Sequence, residues 1–327
     1  MVRSMQAQPD PIPPAPSVRI SVVMPCYNAA SFVREAVECV MGQTRGDVEL
    51  IVVDDGSTDA SRDLLHTLAA AHAPRIQVLH QDRKGPYPAR NLGLRHASGG
   101  LVAFLDADDY LSPDCLDKLA NALERTDADI AYCGWQNVGE GAPGTTPYVP
   151  PDYAALDTAA EFLRACPWPI HAALVRRAAI DAVGGFSERC FSAMDYDLWL
   201  RLYAHTQKIV RVPEVMAFYR WHGGGQISKT RWKQVLDALR VRRDFVAAHP
   251  ERIAHLPAAR LAELTDGYLL REAYRAYWRR ELDDAQVLLR AALREGAWGV
   301  RDLKYILPAL LPAPLFRRLV GLAGSTG

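Results

Sequence analysis

The chain has 327 residues, 49% hydrophobic and 23% charged, and its 38 basic and 38 acidic side chains cancel. That apolar fraction excludes a wholly disordered chain, and the zero balance excludes a general nucleic-acid binder, which needs surplus Lys and Arg against phosphate. The length suffices for one large or two modest domains with a real core.

Six cysteines stand singly, at Cys26, Cys39, Cys115, Cys133, Cys166 and Cys190, without a CxxC pair or a Cys/His cluster. Neither a zinc site nor a disulfide framework is expected, and a reducing, cytoplasmic setting is the simplest expectation. Residues 1–17 carry five prolines and no apolar periodicity, so a disordered arm without a secretory leader's apolar core is expected there. No apolar run reaches the roughly 18 residues that a transmembrane helix needs.

Order is expected from the β-branched run at 19–24, ended by Pro25. Further strands are expected at 50–53, 76–79, 101–105 and 129–132, with helices near 31–42, 60–71, 87–97 and 113–125 between them. Ser31 and Asp59 are read as N-caps, because each precedes a helical pattern and can accept from an orphan N–H. Asp109 or Ser112 is read as the cap of a helix whose first position is Pro113. Strand–helix–strand units with continuous apolar strands predict an α/β fold, its sheet mostly parallel and covered on both faces.

Residues 139–151, rich in Gly, Pro and Thr, read as a loop. Helices near 155–165 and 195–205 flank an apolar segment at 170–175. Beyond Ser228 the composition turns to Ala, Leu and Arg, and Trp232, Val235, Leu236 and Leu239 share one helix face. With helices near 257–279 and 282–295, this predicts an all-helical C-terminal region over 227–327.

In an open parallel sheet, ligands bind beyond the carboxyl ends of the strands. Carboxylates gather there: Asp54-Asp55 ends the second strand and Asp106-Ala107-Asp108-Asp109 ends the fourth. Asp106 and Asp108 are two residues apart, so extended backbone points both the same way. Two convergent carboxylates suit a hard divalent cation, Mn²⁺ or Mg²⁺, shared with a diphosphate. A third candidate is Asp195, which shares a helix face with Leu198, Trp199 and Leu202; it is either a buried cap or a base. Asp197 faces elsewhere on that helix and is expected to form a solvated pair with Arg201.

Five segments occur in order: Ile20–Asn28 (ISVVMPCYN), Leu50–Asp59 (LIVVDDGSTD), Ala89–Leu94 (ARNLGL), Phe104–Asp109 (FLDADD) and Asp195–Arg201 (DYDLWLR). Together they resemble the family 2 glycosyltransferases of GT-A fold, over roughly 18–225. The resemblance implies a Rossmann-like glycosyltransferase domain at 18–226, with a nucleotide-binding half near 18–135 and an acceptor half near 136–226. It implies a metal-dependent, inverting transfer of a sugar from a nucleotide-sugar, UDP-sugar being favoured, to a hydroxyl. Bacterial surface polysaccharide or lipid-linked glycan is the implied acceptor class.

Residue by residue, the resemblance puts Pro25 and Tyr27 at the base, with Asp55 accepting from the uracil N3–H. Asp54 is structural or ribose-directed, and Arg90 contacts the donor. Asp106, Ala107 and Asp108 match the DxD motif, Asp108 being the direct metal ligand. Asp195 matches the catalytic base, preceded here by Met194 where many relatives carry Glu. His222, before Gly223-Gly224-Gly225, resembles a loop histidine over the diphosphate, or has no task. His171, Trp168 and Trp135 are read mainly as structural, with acceptor or sugar contacts as the other reading.

Two other classes compete. One is a sugar-nucleotide-binding pseudoenzyme or partner-recruiting subunit, against which the joint presence of Asp55, Asp106, Asp108 and Asp195 weighs. The other is a nucleotidyltransferase, which would carry a Gly-rich phosphate loop after the first strand where this chain has Pro25-Cys26-Tyr27-Asn28. The segment Leu303–Ala323, broken by Pro308, Pro312 and Pro314, reads as a packed terminal helix or as a peripheral membrane contact.

Overall fold

The computed structural model describes residues 20–189, 192–222 and 231–323. The arm expected at 1–17, Cys190 and the glycines after His222 lie outside these residues. The first half alternates strand and helix as the pattern predicts: β1 (Ile20–Cys26), α1 (Val33–Met41), β2 (Val48–Asp55), α2 (Ser61–Ala71), β3 (Ile76–Gln81), α3 (Pro86–His96) and β4 (Leu101–Phe104). There follow β5 (Tyr110–Leu111), α4 (Cys115–Thr126), β6 (Ile130–Val138), α5 (Thr158–Arg164), β7 (Ala173–Arg176), α6 (Arg177–Ala182), α7 (Met194–His205) and β8 (Ile209–Arg220).

The strands form one sheet in the order β3-β2-β1-β4-β7-β6-β8-β5. β1 pairs in parallel with β2 and β4, as do β2 with β3 and β6 with β8, while β4–β7, β6–β7 and β5–β8 are antiparallel. The sheet is therefore mixed but mainly parallel, a Rossmann-like core. The chain runs from β1 through β2 to β3 on one side and returns to β4 on the other. That reversal opens a crevice at the carboxyl ends of β1 and β4.

Every residue of β1 is buried, as are most of β2 and all of β4, which is why these strands read as unbroken apolar runs. Gly93 lets α3 lie close on this sheet: a Cβ there would come within 2.5 Å of Val23 Cγ1. That approach carries the first turns of α3 to the crevice.

The expected caps shift in the structure. α1 begins without a side-chain cap, and Ser31 stands outside it in a turn where Phe32 N donates to Ala29 O. Ala60 takes the cap position of α2, and Asp59, one residue earlier, accepts from Ser61 N at 2.9 Å and also from Ala30 N. α4 starts at Cys115 rather than Pro113, because Asp109 and Ser112 are engaged elsewhere: the Asp109 carboxylate accepts from Arg220 N and the Ser112 hydroxyl donates to Asp114.

The C-terminal region is helical throughout its described part: α8 (Arg231–Ala248), α9 (Pro250–Ile253), α10 (Ala258–Leu264), α11 (Asp266–Trp278), α12 (Leu282–Arg294), α13 (Leu303–Ala309) and α14 (Ala313–Ala323). α8 buries two faces rather than the single one its spacing suggests. Val235 and Leu239 join Leu269, Leu288, Ile306 and Phe316 in a helical core, while Ala238, Val241 and Phe245 join the core of the sheet domain. Among the described residues, no helix is long and apolar enough to cross a membrane.

Candidate active site

The crevice is a cleft of about 930 Å³, lined by the ends of β1, β2 and β4, the start of α3 and the start of α7. Where β1 ends, Asn28 adopts a left-handed conformation (φ 47°) and ties two strand ends together. Its Oδ1 accepts from Thr58 N at 2.8 Å and its N–H donates to Ser57 Oγ at 3.0 Å. Motif reading assigns Asn28 no role, although an Asn just past a strand end, opposite a Ser-Thr-Asp run, is the signal for this bridge. Pro25 and Tyr27 line the cleft, and the guanidinium of Arg83 lies 3.2 Å from the Tyr27 ring centre.

The adjacent carboxylates after β2 part company. Asp54 is fully buried and does not line the cleft; it accepts from Ser57 N (3.0 Å), Arg62 Nε (2.9 Å) and His80 Nδ1 (3.2 Å). Burial alone would raise its pKa, but these hydrogen bonds outweigh it and hold the group below the usual carboxylate range. Asp54 is thus the structural member of the pair. Asp55 does line the cleft, with Oδ1 accepting from Gln81 Nε2 and Lys84 N and Oδ2 from Gly85 N, each within 2.8 Å. It shapes the turn from which α3 starts.

That turn aims Arg90 at the acidic cluster after β4. Arg90 is buried between the rings of Tyr87 and Phe186 and forms an ion pair with Asp106. Desolvation works against its charge, but Asp106, Tyr87 and Asp195 outweigh that, so its pKa is raised. Asp106, Ala107 and Asp108 all line the cleft. Asp108 has a raised pKa, chiefly from burial and then from the neighbouring Asp106, with a hydrogen bond to His222 offsetting part of it.

Asp109 turns inward. Burial, then Asp108 and Asp106, push its pKa well up; Oδ1 accepts from Arg220 N at 2.8 Å and Oδ2 lies 3.2 Å from His171 Nδ1. His171 is itself buried, which pulls its pKa down to about 4, and its ring stacks on Tyr219. Its role is structural. Trp168 is core as well, stacked on Tyr132 at 4.2 Å, and Trp135 packs against Tyr148.

The carboxylates of Asp106, Asp108 and Asp109 each offer an oxygen within 4.8 Å of the others. Like charges crowded in a desolvated place, with oxygen as the only donor type, fit a hard divalent cation, which would relieve the repulsion that raises Asp108.

Asp195 opens α7 on the opposite wall of the cleft, accepting from Tyr196 N through Oδ1, with the Cys166 thiol 3.9 Å from Oδ2. Its pKa is raised, above all by burial, while Arg90 draws it down. Met194 before it is buried in the core, a position where a carboxylate would be desolvated. Asp197 corrects the expectation of a solvated pair. It is 1% exposed and held by both Arg201 (2.7 Å) and Arg189. Arg201 also donates to the carbonyls of Val183 and Gly185, so the network fastens α7 to the segment before it. His222 lines the cleft, its Nε2 3.0 Å from Asp108 Oδ2 and its ring 4.6 Å from that of Phe32.

Comparison with known proteins agrees with this geometry. Residues 21–184 match the profile described as Glycosyl transferase family 2. EpsJ, an uncharacterised glycosyltransferase of Bacillus subtilis, is 35% identical over 136 residues, which are 42% of this chain and 38% of that protein. The chain thus spans well under half the length of that curated relative. Residues 1–349 of TarS from S. aureus, in complex with UDP-GlcNAc, superpose with a TM-score of 0.65 at 20% identity, covering 92% of this chain and 88% of the other. A mannosyltransferase of Pyrobaculum calidifontis, in complex with GDP-Man and Mn²⁺, gives a TM-score of 0.57 at 20% identity over 97% and 92%. The sheet, the order of the five segments and the family match agree, and the chain belongs to glycosyl transferase family 2.

Proposed function

We propose that the chain transfers a sugar from a nucleotide-sugar, a UDP-sugar being favoured, to an acceptor hydroxyl with inversion at the anomeric carbon. One observation carries the reading: four separate elements bring Asp55, Arg90, Asp106, Asp108 and Asp195 to one cleft. Asp55 accepts from the base, beside the Tyr27 ring. Asp106 and Asp108 are the residues that would hold Mn²⁺ or Mg²⁺. When bound, the cation offsets charge on the departing diphosphate. Arg90 and His222 orient the acidic pair from either side. Asp195 takes the proton from the acceptor hydroxyl as its oxygen bonds to the anomeric carbon and the bond to the diphosphate breaks. The raised pKa of Asp195 supports that role, since a stronger base removes the proton more readily.

The test is release of nucleoside diphosphate from a panel of UDP-, GDP-, CDP- and dTDP-sugars with Mn²⁺. Turnover of one nucleotide class, abolished by chelator, is the expected result. Binding without turnover of any sugar over a broad acceptor panel would favour the pseudoenzyme.

The C-terminal segment extends the reading to where the acceptor is met. Leu307, Leu310, Leu311, Leu315 and Leu319 are 39–57% exposed, and residues 303–327 hold three basic side chains and no acidic one. Exposed leucines among cations on short helices suit an anionic lipid surface. Peripheral contact with the cytoplasmic face of a membrane, and a lipid-linked or surface glycan as acceptor, belong to the same proposal.

A further inference from the structure

Asp195 sits on a wall shared by two spaces. One is the donor cleft; the other is a cavity of about 680 Å³ between the sheet domain and the helical region. Ala193, Asp195 and Gln234 line both. A base that takes a proton from the acceptor must touch the acceptor, and the donor occupies the first space. The acceptor then approaches Asp195 from the second.

The second cavity is rich in guanidinium. Arg164, Arg242, Arg260, Arg271 and Arg275 line it, against Glu263 and Glu272. Glu272 serves both Arg275 (2.6 Å) and Arg231 (2.9 Å), and Glu263 serves Arg260 (2.6 Å) with Arg271 farther off at 3.9 Å. Even with Asp195 counted beside Glu263 and Glu272, and with Arg164 paired to Glu161, the lining arginines leave positive charge in excess. Arg242 is part of that excess. It is buried, donates to the carbonyls of Leu163, Ala238 and Arg164, and lies across the rings of Tyr196 and Tyr268. Dipoles and ring faces hold this cation in place without neutralising it.

A purely fastening role fits Arg242, and Arg164 is paired with Glu161 on its own helix, but neither account covers the remaining three. Arg260, Arg271 and Arg275 are 37–50% exposed and point their charge at the cavity rather than into a core. A concave, partly desolvated wall focuses such a field, and the planar guanidinium matches phosphate and carboxylate oxygens in pairs.

We propose that this cavity is the acceptor site and that it selects an anionic acceptor: a glycan or polyol chain bearing phosphodiester or carboxylate groups, its reacting hydroxyl at Asp195. The acceptor assignment rests on the glycosyltransferase reading; the selection for charge does not, and it is measured without turnover. Fluorescence anisotropy of the full chain is recorded with three labelled probes of equal length: hexameric glycerol phosphate, hexagalacturonate and maltohexaose. One or both anionic probes are expected to bind at least tenfold more tightly than maltohexaose, and to weaken as salt rises. Which anion wins distinguishes phosphodiester from carboxylate. The variant R260Q/R271Q is expected to lose about tenfold in affinity for the anionic probe. E263Q is expected to gain severalfold, a result that misfolding cannot produce. Equal binding of charged and neutral probes, no binding of any, or indifference to these substitutions would overturn the inference. Thermal stabilisation of the wild type by UDP is read in parallel. A chain that takes the anionic probe but not the nucleotide loses the transferase reading and keeps the charge-selective cavity; the converse result removes the cavity alone.

Discussion

Nε2 of His222 stands 3.0 Å from Oδ2 of Asp108, across 114 residues of chain. It belongs to a set of bonds that stitch the end of β8 to the acidic turn after β4. Arg220 N donates to Asp109 Oδ1 at 2.8 Å, and Arg220 Nε donates to the Asp108 carbonyl at 2.9 Å. The turn that carries the acidic pair is thus fixed from the far side of the sheet. Arg90 fixes it from the near side through Asp106. Arg90, the His222 ring and the backbone and side chain of Arg220 thus hold the acidic turn from both sides.

Asp195→Asn tests the base. Activity is expected to fall by about 10²–10⁴, the usual worth of a positioned base, with nucleotide binding retained. Burial raises the Asp195 pKa, so in the wild type the carboxylate protonates above the normal Asp range. Protonated, it cannot accept, so the acid limb of kcat/KM is expected above that range. The sign for stability is opposite: a raised carboxylate pKa means that the folded state binds the proton more tightly, so its ionised form costs stability. D195N should therefore unfold at the wild-type temperature or higher at neutral pH. A fall in Tm together with lost activity would contradict this assignment.

Asp197→Asn tests the buried anion of α7. Its carboxylate is 1% exposed between Arg189 and Arg201. Removing one partner of a buried pair typically costs about 3–5 kcal/mol, and the partial exposure of both arginines lowers the expectation to about 2–3 kcal/mol. Urea unfolding measures it. A change below about 0.5 kcal/mol, the usual range for a surface substitution, would mean that the pair is solvated after all.

Leu315→Ser with Leu319→Ser tests the C-terminal face. Both leucines are about half exposed, so folding should be little affected. Co-sedimentation of the wild type with vesicles containing phosphatidylglycerol, weak with pure phosphatidylcholine and lost in the double variant, is the expected outcome. Equal recovery with both lipids, or leucine-dependent self-association without vesicles, would contradict the membrane reading.

The sheet and the acidic cleft were largely legible because their physics is local. Strands β1, β2 and β4 are buried on both faces and so read as apolar runs, and the carboxylates at their ends mark where the runs stop. Asp54 and Asp109 nevertheless turn inward, and only Asp55, Asp106 and Asp108 of those carboxylates line the cleft. β8 escaped notice because Pro213 interrupts its twelve residues, and its pairing with β6 shifts register around Gly134. Asp195 and Asp197 illustrate what periodicity cannot give. Helical spacing sorts them onto different faces, but α7 is packed nearly all round, so Asp197, the one read as solvated, is buried between two arginines while Asp195 stays half-buried at the cleft. Arg189, which decides the surroundings of Asp197, lies on a separate segment that no spacing rule connects to it. The arginine cavity was invisible for the same reason: α10 and α11 bring Arg260, Arg271 and Arg275 to one wall only once they fold back over Asp195.

That the acidic turn holds a nucleotide together with a divalent cation is tested most directly by thermal unfolding with UDP, GDP, CDP and dTDP, each with and without Mn²⁺. A ligand at about 100 times its Kd stabilises by roughly 2.7 kcal/mol, a readily measured shift. Stabilisation by one nucleotide, UDP being favoured, that requires Mn²⁺ and disappears in Asp108→Ala is the predicted result. The absence of any shift at millimolar nucleotide, or a shift indifferent to both Mn²⁺ and Asp108, would contradict it.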